Sequence, residues 1–386
     1  MISLTKEEAK AIDIAVNNHI PFGITPYYAH LMDQKPNRKD DHAVRAQVIP
    51  PLFYAEEMAK KKREREHSFD FMMEHDTSPI DLVVRRYPKI AIFKPYNTCS
   101  QICVYCQRNW EIDEVLSPTA LAPQEKINAA IKWFKDNPEI SEVLITGGDA
   151  FIMSGKMIDS IMAEFAKMDH IKRIRLGTRT PVVLPQRVTD ELIGTLKKYH
   201  KPGKREVCVV THFEHVYEIS PESVEAVQKI RRAGMSVYNQ LVFTIENSRR
   251  FEAVATRRLL KSIGVDLYYT FVTKGKEETR EYRVPIARLL QEQKEEARLV
   301  PGMERTDEVV YNMPRLGKNY LRAWQHHDVI MISKDGSRVV EFHPWEKNIS
   351  LVDTYLATEP PIYDYLQKLK ARGEKRSDYQ SIWYYF

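Results

Sequence analysis

Between residues 90 and 272 the chain switches repeatedly between two hydrophobic periods, and this alternation restricts its fold more than any other feature. Short β-rich runs at 90–93, 143–146, 171–177, 207–211, 236–242 and 266–272 are separated by amphipathic segments at 124–135, 156–167, 190–199, 221–233 and 251–263. A period of two residues marks a strand and a period near 3.6 marks a helix with one apolar face. Strands and helices that alternate in this way predict a parallel sheet with crossover helices, an α/β fold closing into a partial (βα)6 barrel. The active site is then expected at the C-terminal ends of the strands.

Around this unit, residues 85–308, the chain reads as two additions. Residues 1–84 are polar and helix-rich, with Thr5 and Glu8 spaced as a capping box and a proline-dense connector at 20–26. Residues 309–386 read as a lid or arm: a hairpin around 334–337, then a C-terminal helix ending in the aromatic tail 383–386. Such a tail either contacts another subunit or packs on its own chain.

Cys99, Cys103 and Cys106 follow the first β-rich run at offsets of four and three. Three thiolates of a [4Fe–4S] cluster leave one iron open to bind a substrate or cofactor. A structural zinc site needs four closed ligands. Only three are local here, since Cys208 is distant and His75 is not at finger spacing. Four cysteines in 386 residues, with no signal peptide, do not make a disulfide framework and point to a reducing cytoplasm.

Composition excludes little else. With 43% hydrophobic and 29% charged residues, the chain can bury a large core and has no run long enough to span a bilayer. The net charge of +5 is dispersed. The basic run at 60–66 is interrupted by acids and reads as a solvated helix face, not a nucleic-acid surface.

Several blocks in order resemble the lysine 2,3-aminomutase family of radical S-adenosylmethionine (SAM) enzymes: ITPYYAHLMD at 24–33, VRAQVIP at 44–50, RYP at 86–88, LITGGDA at 144–150, GTRTPVVLPQR at 177–187 and THFEH at 211–215. The resemblance implies a radical SAM partial barrel, a SAM-bound [4Fe–4S] cluster and pyridoxal 5′-phosphate (PLP). It implies that Cys99, Cys103 and Cys106 ligate three irons and that the loop Gly147, Gly148 and Asp149 receives the SAM amine. Arg108 would pair with the substrate α-carboxylate through its bidentate fork. Lys318, in NMPRLGK at 312–318, would hold PLP covalently, although the glycine run before it is shortened to Arg315-Leu316-Gly317. Arg86 and Tyr87 match positions near the cofactor phosphate and ring, and Ile90 stands where a second phosphate-side arginine is expected.

At the distal end of the substrate, Lys274 and Asn312 occupy positions that are aspartates in lysine-specific members. A cation cannot replace a carboxylate as partner of an ammonium group in a low-dielectric site. The pair resembles that of glutamate 2,3-aminomutases, which implies an isomerase moving the α-amino group of L-glutamate to the β-carbon. Lysine, arginine or a protein lysyl side chain as substrate, a radical SAM reaction other than aminomutation, and a passive iron–sulfur centre remain alternatives. The resemblance further implies an electron from a flavodoxin or ferredoxin, and a homo-oligomer. No cysteine follows Cys208, so the C-terminal zinc site of lysine-type members is not expected. Cys208 reads as a buried core residue, His212 and His215 as pocket or core residues, and Tyr282 as altering one end of the pocket.

Overall fold

The computed structural model describes residues 2–36, 40–64, 68–112, 114–273, 275–323, 326–344 and 352–386. The larger of its two sheets runs in strict chain order: β1 (Val83–Val84), β2 (Ile90–Tyr96), β3 (Glu142–Gly147), β4 (Arg173–Gly177), β5 (Glu206–Thr211), β6 (Ser236–Phe243), β7 (Asp266–Val272), β8 (Glu308–Met313) and β9 (Gly317–Tyr320). Strands β2 to β8 are parallel, and β1 and β9 close the two edges antiparallel. Sequential order with a helix after nearly every strand is the partial-barrel topology that the alternation predicts. The helices run Gln124–Asp136, Gly155–Ala166, Asp190–Lys197, Pro221–Arg232, Glu252–Ser262 and Ile286–Glu296. The last of these carries the sheet past residue 308 into β8 and β9, where a lid-like segment was expected.

Each parallel strand divides its side chains between two environments. In β2 to β4, Ala91, Phe93, Val143, Ile145, Ile174 and Leu176 are buried beneath the helices. Their alternates Ile90, Ile92, Leu144, Thr146, Arg175 and Gly177 line a cavity on the concave side. Phe93, Phe134 and Phe165 pack edge-to-face with centroids 5.1–6.2 Å apart. Burying a ring of this size stabilises the fold by about 2 kcal/mol.

The N-terminal segment is fastened across the barrel. Helix Lys6–Asn17 starts at the expected capping box, where Thr5 Oγ1 accepts from Glu8 N (3.0 Å) and Glu8 Oε2 accepts from Thr5 N (2.8 Å). It packs on helix Leu52–Lys61. The basic run that this second helix opens is not wholly solvated: Lys61 is buried against Glu278 at 3.0 Å, a partner 217 residues away. Residues 65 and 66 of that run lie outside the described residues.

The smaller sheet is antiparallel, β10 (His327–Ile332), β11 (Arg338–Phe342) and β12 (Tyr355–Glu359), with the expected hairpin between β10 and β11. The C-terminal helix ends at Ala371, and the tail forms a separate 3-10 stretch, Arg376–Tyr385. Tyr379 and Ile382 anchor it in the core, whereas Tyr384 is 88% exposed. No helix among the described residues is long and apolar enough to cross a membrane.

Two glycines hold the cysteine loop against the sheet. A Cβ on Gly148 would lie 1.9 Å from Thr98 O, and one on Gly147, whose φ is +120°, would lie 2.3 Å from Tyr96 O. These are backbone atoms that cannot swing aside. Gly148 N donates to Tyr96 O (2.7 Å) and Asp149 N to Thr98 O (2.9 Å). Gly148→Ala should therefore cost about 2 kcal/mol or more in denaturant unfolding and reduce the iron retained after reconstitution. Wild-type unfolding and iron content would refute the close-approach argument.

Candidate functional site

The cavity opens at the C-terminal ends of the strands and has a volume of about 580 Å³. All three cysteines of the 99–106 loop line it, together with residues from β2 through β9. Burial raises the Cys103 thiol to about 11, opposed by the Arg179 guanidinium. Burial also raises Cys99 well above the usual thiol value, with the Asp149 carboxylate adding to the effect. Thiols held this way fit a centre that takes them as thiolates, because ligation supplies the charge compensation that burial denies. Two N–H groups already point at the sulfurs: Arg108 N to Cys106 Sγ (3.3 Å) and Arg179 Nη1 to Cys103 Sγ (2.8 Å). Such contacts orient and tune a bound iron–sulfur cluster. Cys208, by contrast, is fully buried in β5.

The Gly147-Gly148-Asp149 loop also lines the cavity, but its acid is committed. Asp149 Oδ1 accepts from Phe151 N (2.9 Å) and Thr178 Oγ1 (2.5 Å), and Oδ2 accepts from Arg179 N (2.7 Å) and Thr180 N (3.1 Å). Its carboxylate ties the end of β3 to the end of β4.

At the other end, Lys318 stands on β9 directly opposite Asn312 on β8, and both line the cavity. Lys318 Nζ lies 5.0 Å from the centroid of the Tyr87 ring and 4.9 Å from that of Tyr269. Desolvation, then the neighbouring Arg175 and Arg86, lowers its ammonium to about 8. Tyr87 Oη accepts from Lys318 N (2.8 Å), and its ring fills the space a Cβ on Gly317 (φ +84°) would need. Arg86 Nη2 is paired with Glu74, but Arg86 Nε and Arg175 Nε are buried without a hydrogen-bond partner among the described residues. A lysine primed to lose its proton beside orphaned guanidinium donors fits a carbonyl cofactor with an anionic tail, as PLP has. Arg175 escapes the sequence reading because it sits mid-strand among other basic residues, Lys172 and Arg173, with nothing local to single it out. Here it reaches the cavity on which Ile90 presents no charge.

Arg108 lines the cavity too, and one edge of its fork is taken. Nε and Nη2 grip Glu74 at 3.0 and 2.7 Å. The same carboxylate receives Gln107 Nε2 (2.7 Å) and Lys94 Nζ (3.2 Å) and lies 3.3 Å from Arg86 Nη2. Glu74 is 4% exposed at its side chain, and although burial opposes ionisation, Arg108, Lys94 and Arg86 together hold its carboxyl far below the usual carboxylate range. Nothing in its local sequence distinguishes Glu74. Its partners are 12 to 34 residues away and meet it only in the fold.

The substrate-end assignments separate. Asn312 is on the wall, and Lys274 lies outside the described residues. Lys276 lines the cavity and pairs with Glu278 (3.0 Å), which it shares with Lys61. His212 and Glu214 line the cavity with Nδ1 and Oε1 3.4 Å apart, while His215 is buried against Glu252 (2.8 Å). Tyr282 is not among the lining residues. It is buried in a separate apolar cluster and donates to Ala46 O (2.6 Å), so it shapes the packing behind the site.

Residues 93–290 match the model of the Radical SAM superfamily. An uncharacterized KamA family protein of Methanocaldococcus jannaschii is 50% identical over 383 residues, covering 99% of this chain and 61% of that protein. An L-lysine 2,3-aminomutase of Bacillus subtilis is 36% identical over 75% of this chain and 58% of its own length. A glutamate 2,3-aminomutase of Clostridioides difficile is 34% identical over 74% and 64%. The chain thus spans about three fifths of the length of these relatives.

Two outcomes follow from the two ends of the cavity. Cyanoborohydride trapping of PLP, read by mass spectrometry, should label Lys318 with a rate that rises through pH 8, because the neutral amine that attacks the carbonyl forms above the lowered value. A rise only near 10.5 would mean that the lysine is solvated. Glu74→Gln removes the charge that Arg108, Arg86 and Lys94 share, and should cost about 3 kcal/mol in denaturant unfolding at pH 7.

Proposed function

We propose that this chain, which belongs to the radical SAM superfamily, is a 2,3-aminomutase that moves the α-amino group of free L-glutamate to its β-carbon. The observation that carries the reading is the placement of Lys318, with its lowered ammonium, in the cavity that also presents Cys99, Cys103 and Cys106. Bound there, a [4Fe–4S] cluster with SAM supplies a carbon-centred radical, and PLP supplies a π system through which nitrogen migrates. Cys99, Cys103 and Cys106 would hold the cluster, Gly147 and Gly148 would offer backbone to SAM, and Arg86 and Arg175 would hold the PLP phosphate beside Tyr87. Lys318 would give up its place to the substrate amine.

The protein's own work is to fix the substrate and keep water out. Arg108, gripped on one edge by Glu74, has Nη1 left to meet an α-carboxylate. The acids among the lining residues are Asp149 and Glu214. Asp149 is saturated with donors, and Glu214 lies near Cys103 and Arg179. Asn312 and Lys276 thus offer the cavity an amide and a cation, the cation being paired on its other side with Glu278. Among the described lining residues a distal ammonium meets no carboxylate at these two positions, whereas a distal carboxylate does find donors. Lys274 and Asn312 are the residues assigned to that carboxylate. A flavodoxin or ferredoxin would supply the electron, and the protein would act in the cytoplasm as a homo-oligomer.

The test is anaerobic reconstitution with iron, sulfide and PLP, then parallel incubation of L-glutamate and L-lysine with SAM and dithionite. β-Glutamate alone is expected. β-Lysine would overturn the substrate assignment, and 5′-deoxyadenosine without either product would overturn aminomutation. Lys318→Ala should abolish isomerisation while reductive SAM cleavage stays measurable.

A further inference from the structure

Arg179, whose Nη1 donates to Cys103 Sγ, takes no part in holding PLP or the substrate. Arg179 follows β4 and is held from every direction. Its backbone N donates to Asp149 Oδ2 (2.7 Å) and its Nε to His212 O (3.2 Å). Its Nη2 meets Glu218 Oε1 (2.5 Å), Tyr28 Oη (3.3 Å) and Gln47 Oε1, and the guanidinium lies over the Tyr28 ring at 5.5 Å. What remains, Nη1, is aimed at Cys103 Sγ at 2.8 Å. The side chain is 11% exposed and Glu218 not at all.

A packed ion pair with its cation against a sulfur and its anion behind the cation is a dipole with the positive end on that sulfur. Reducing [4Fe–4S]2+ to [4Fe–4S]1+ adds one electron and neither makes nor breaks a bond, so the protein affects it only through the field at the cluster and hydrogen bonds to its sulfurs. Both effects of Arg179 favour the reduced state.

We propose that Arg179 is a positioning residue that raises the reduction potential of a cluster bound by Cys99, Cys103 and Cys106, and that Tyr28 and Gln47 of the N-terminal segment set its aim. Tyr28 and Gln47 hold the Nη2 side of the fork, and Asp149 anchors the backbone, which leaves Nη1 one direction to point. The N-terminal segment thereby acts on the site's electronics without touching the cysteines through these groups.

The proposal rests on the reading of the three cysteines as cluster ligands. Failure of that reading would appear as wild-type protein that retains no cluster iron, a result distinct from any change in potential. The experiment is a potentiometric titration of the full chain, reconstituted anaerobically, with the reduced cluster followed by electron paramagnetic resonance and iron and sulfide counted. Arg179→Gln, which keeps a donor and removes the charge, should lower the equilibrium constant for reduction about tenfold, a shift of about 59 mV downward for one electron. Glu218→Gln removes the opposing charge and should shift the potential upward. A fully loaded Arg179→Gln cluster whose equilibrium constant stays within twofold of wild type would overturn the proposal. If that variant does not hold four irons, Glu218→Gln decides: an upward shift supports the assignment, and no shift or a downward one overturns it.

Discussion

Asp149 is a buried carboxylate whose donors among the described residues are three backbone amides and one hydroxyl, and the rest of the site is arranged around it. Desolvation raises its proton affinity, and four donors from two short stretches of chain oppose the rise. Because those donors come from the turn after β3 and the turn after β4, the carboxylate fixes the two turns relative to each other. The glycines before it fix the same turns relative to the cysteine loop, by approaches too close for any side chain. Three consecutive strand ends are thus set by hydrogen bonds and contact, with no reliance on a long loop's own rigidity.

The far side of the cavity uses the opposite arrangement, in which cations outnumber anions and one acid is shared. Glu74 faces Arg108, Arg86 and Lys94, and Lys94 also meets Glu111 at 2.6 Å. Glu278 faces Lys61 and Lys276, and its carboxyl is held down to about 2 despite its burial. Each cluster keeps one net positive charge once its pairs are formed. A wall of this kind binds anions selectively because part of its cost of burial is already met by internal partners, while the residual charge is left to the ligand.

Much of this was legible in the sequence, for reasons that are local. A period of two or 3.6 is written into neighbouring residues, so six strands and the five helices between them were placed within a few residues, while the helix Ile286–Glu296 was not read. The Thr5 and Glu8 cap was legible for the same reason. The cysteine triplet is equally local. Glu74, Arg175 and Arg179 were not legible as site residues, because each owes its place to partners brought from elsewhere by the sheet: Glu74 to Arg108, Arg175 to Tyr268 (2.9 Å), Arg179 to Glu218, Tyr28 and Gln47. Lys61 read as solvated since nothing near it in sequence announces Glu278. The shortened stretch before Lys318 read as a departure in a loop, but Gly317 begins a strand whose register against β8 places Lys318.

The contact between Tyr87 and Gly317 joins residues 230 positions apart through one ring, since the phenol occupies the volume of a missing side chain and accepts from the next amide. In evolutionary terms the two positions share one fate. A lineage that gained any side chain at 317 would have to lose the ring at 87 in the same step, and with it the aromatic face beside Lys318. A lineage that lost the ring first would leave a gap above a glycine whose positive φ still disfavours any side chain that could fill it. Intermediates on either route are impaired, so change at these sites is confined to paired substitutions.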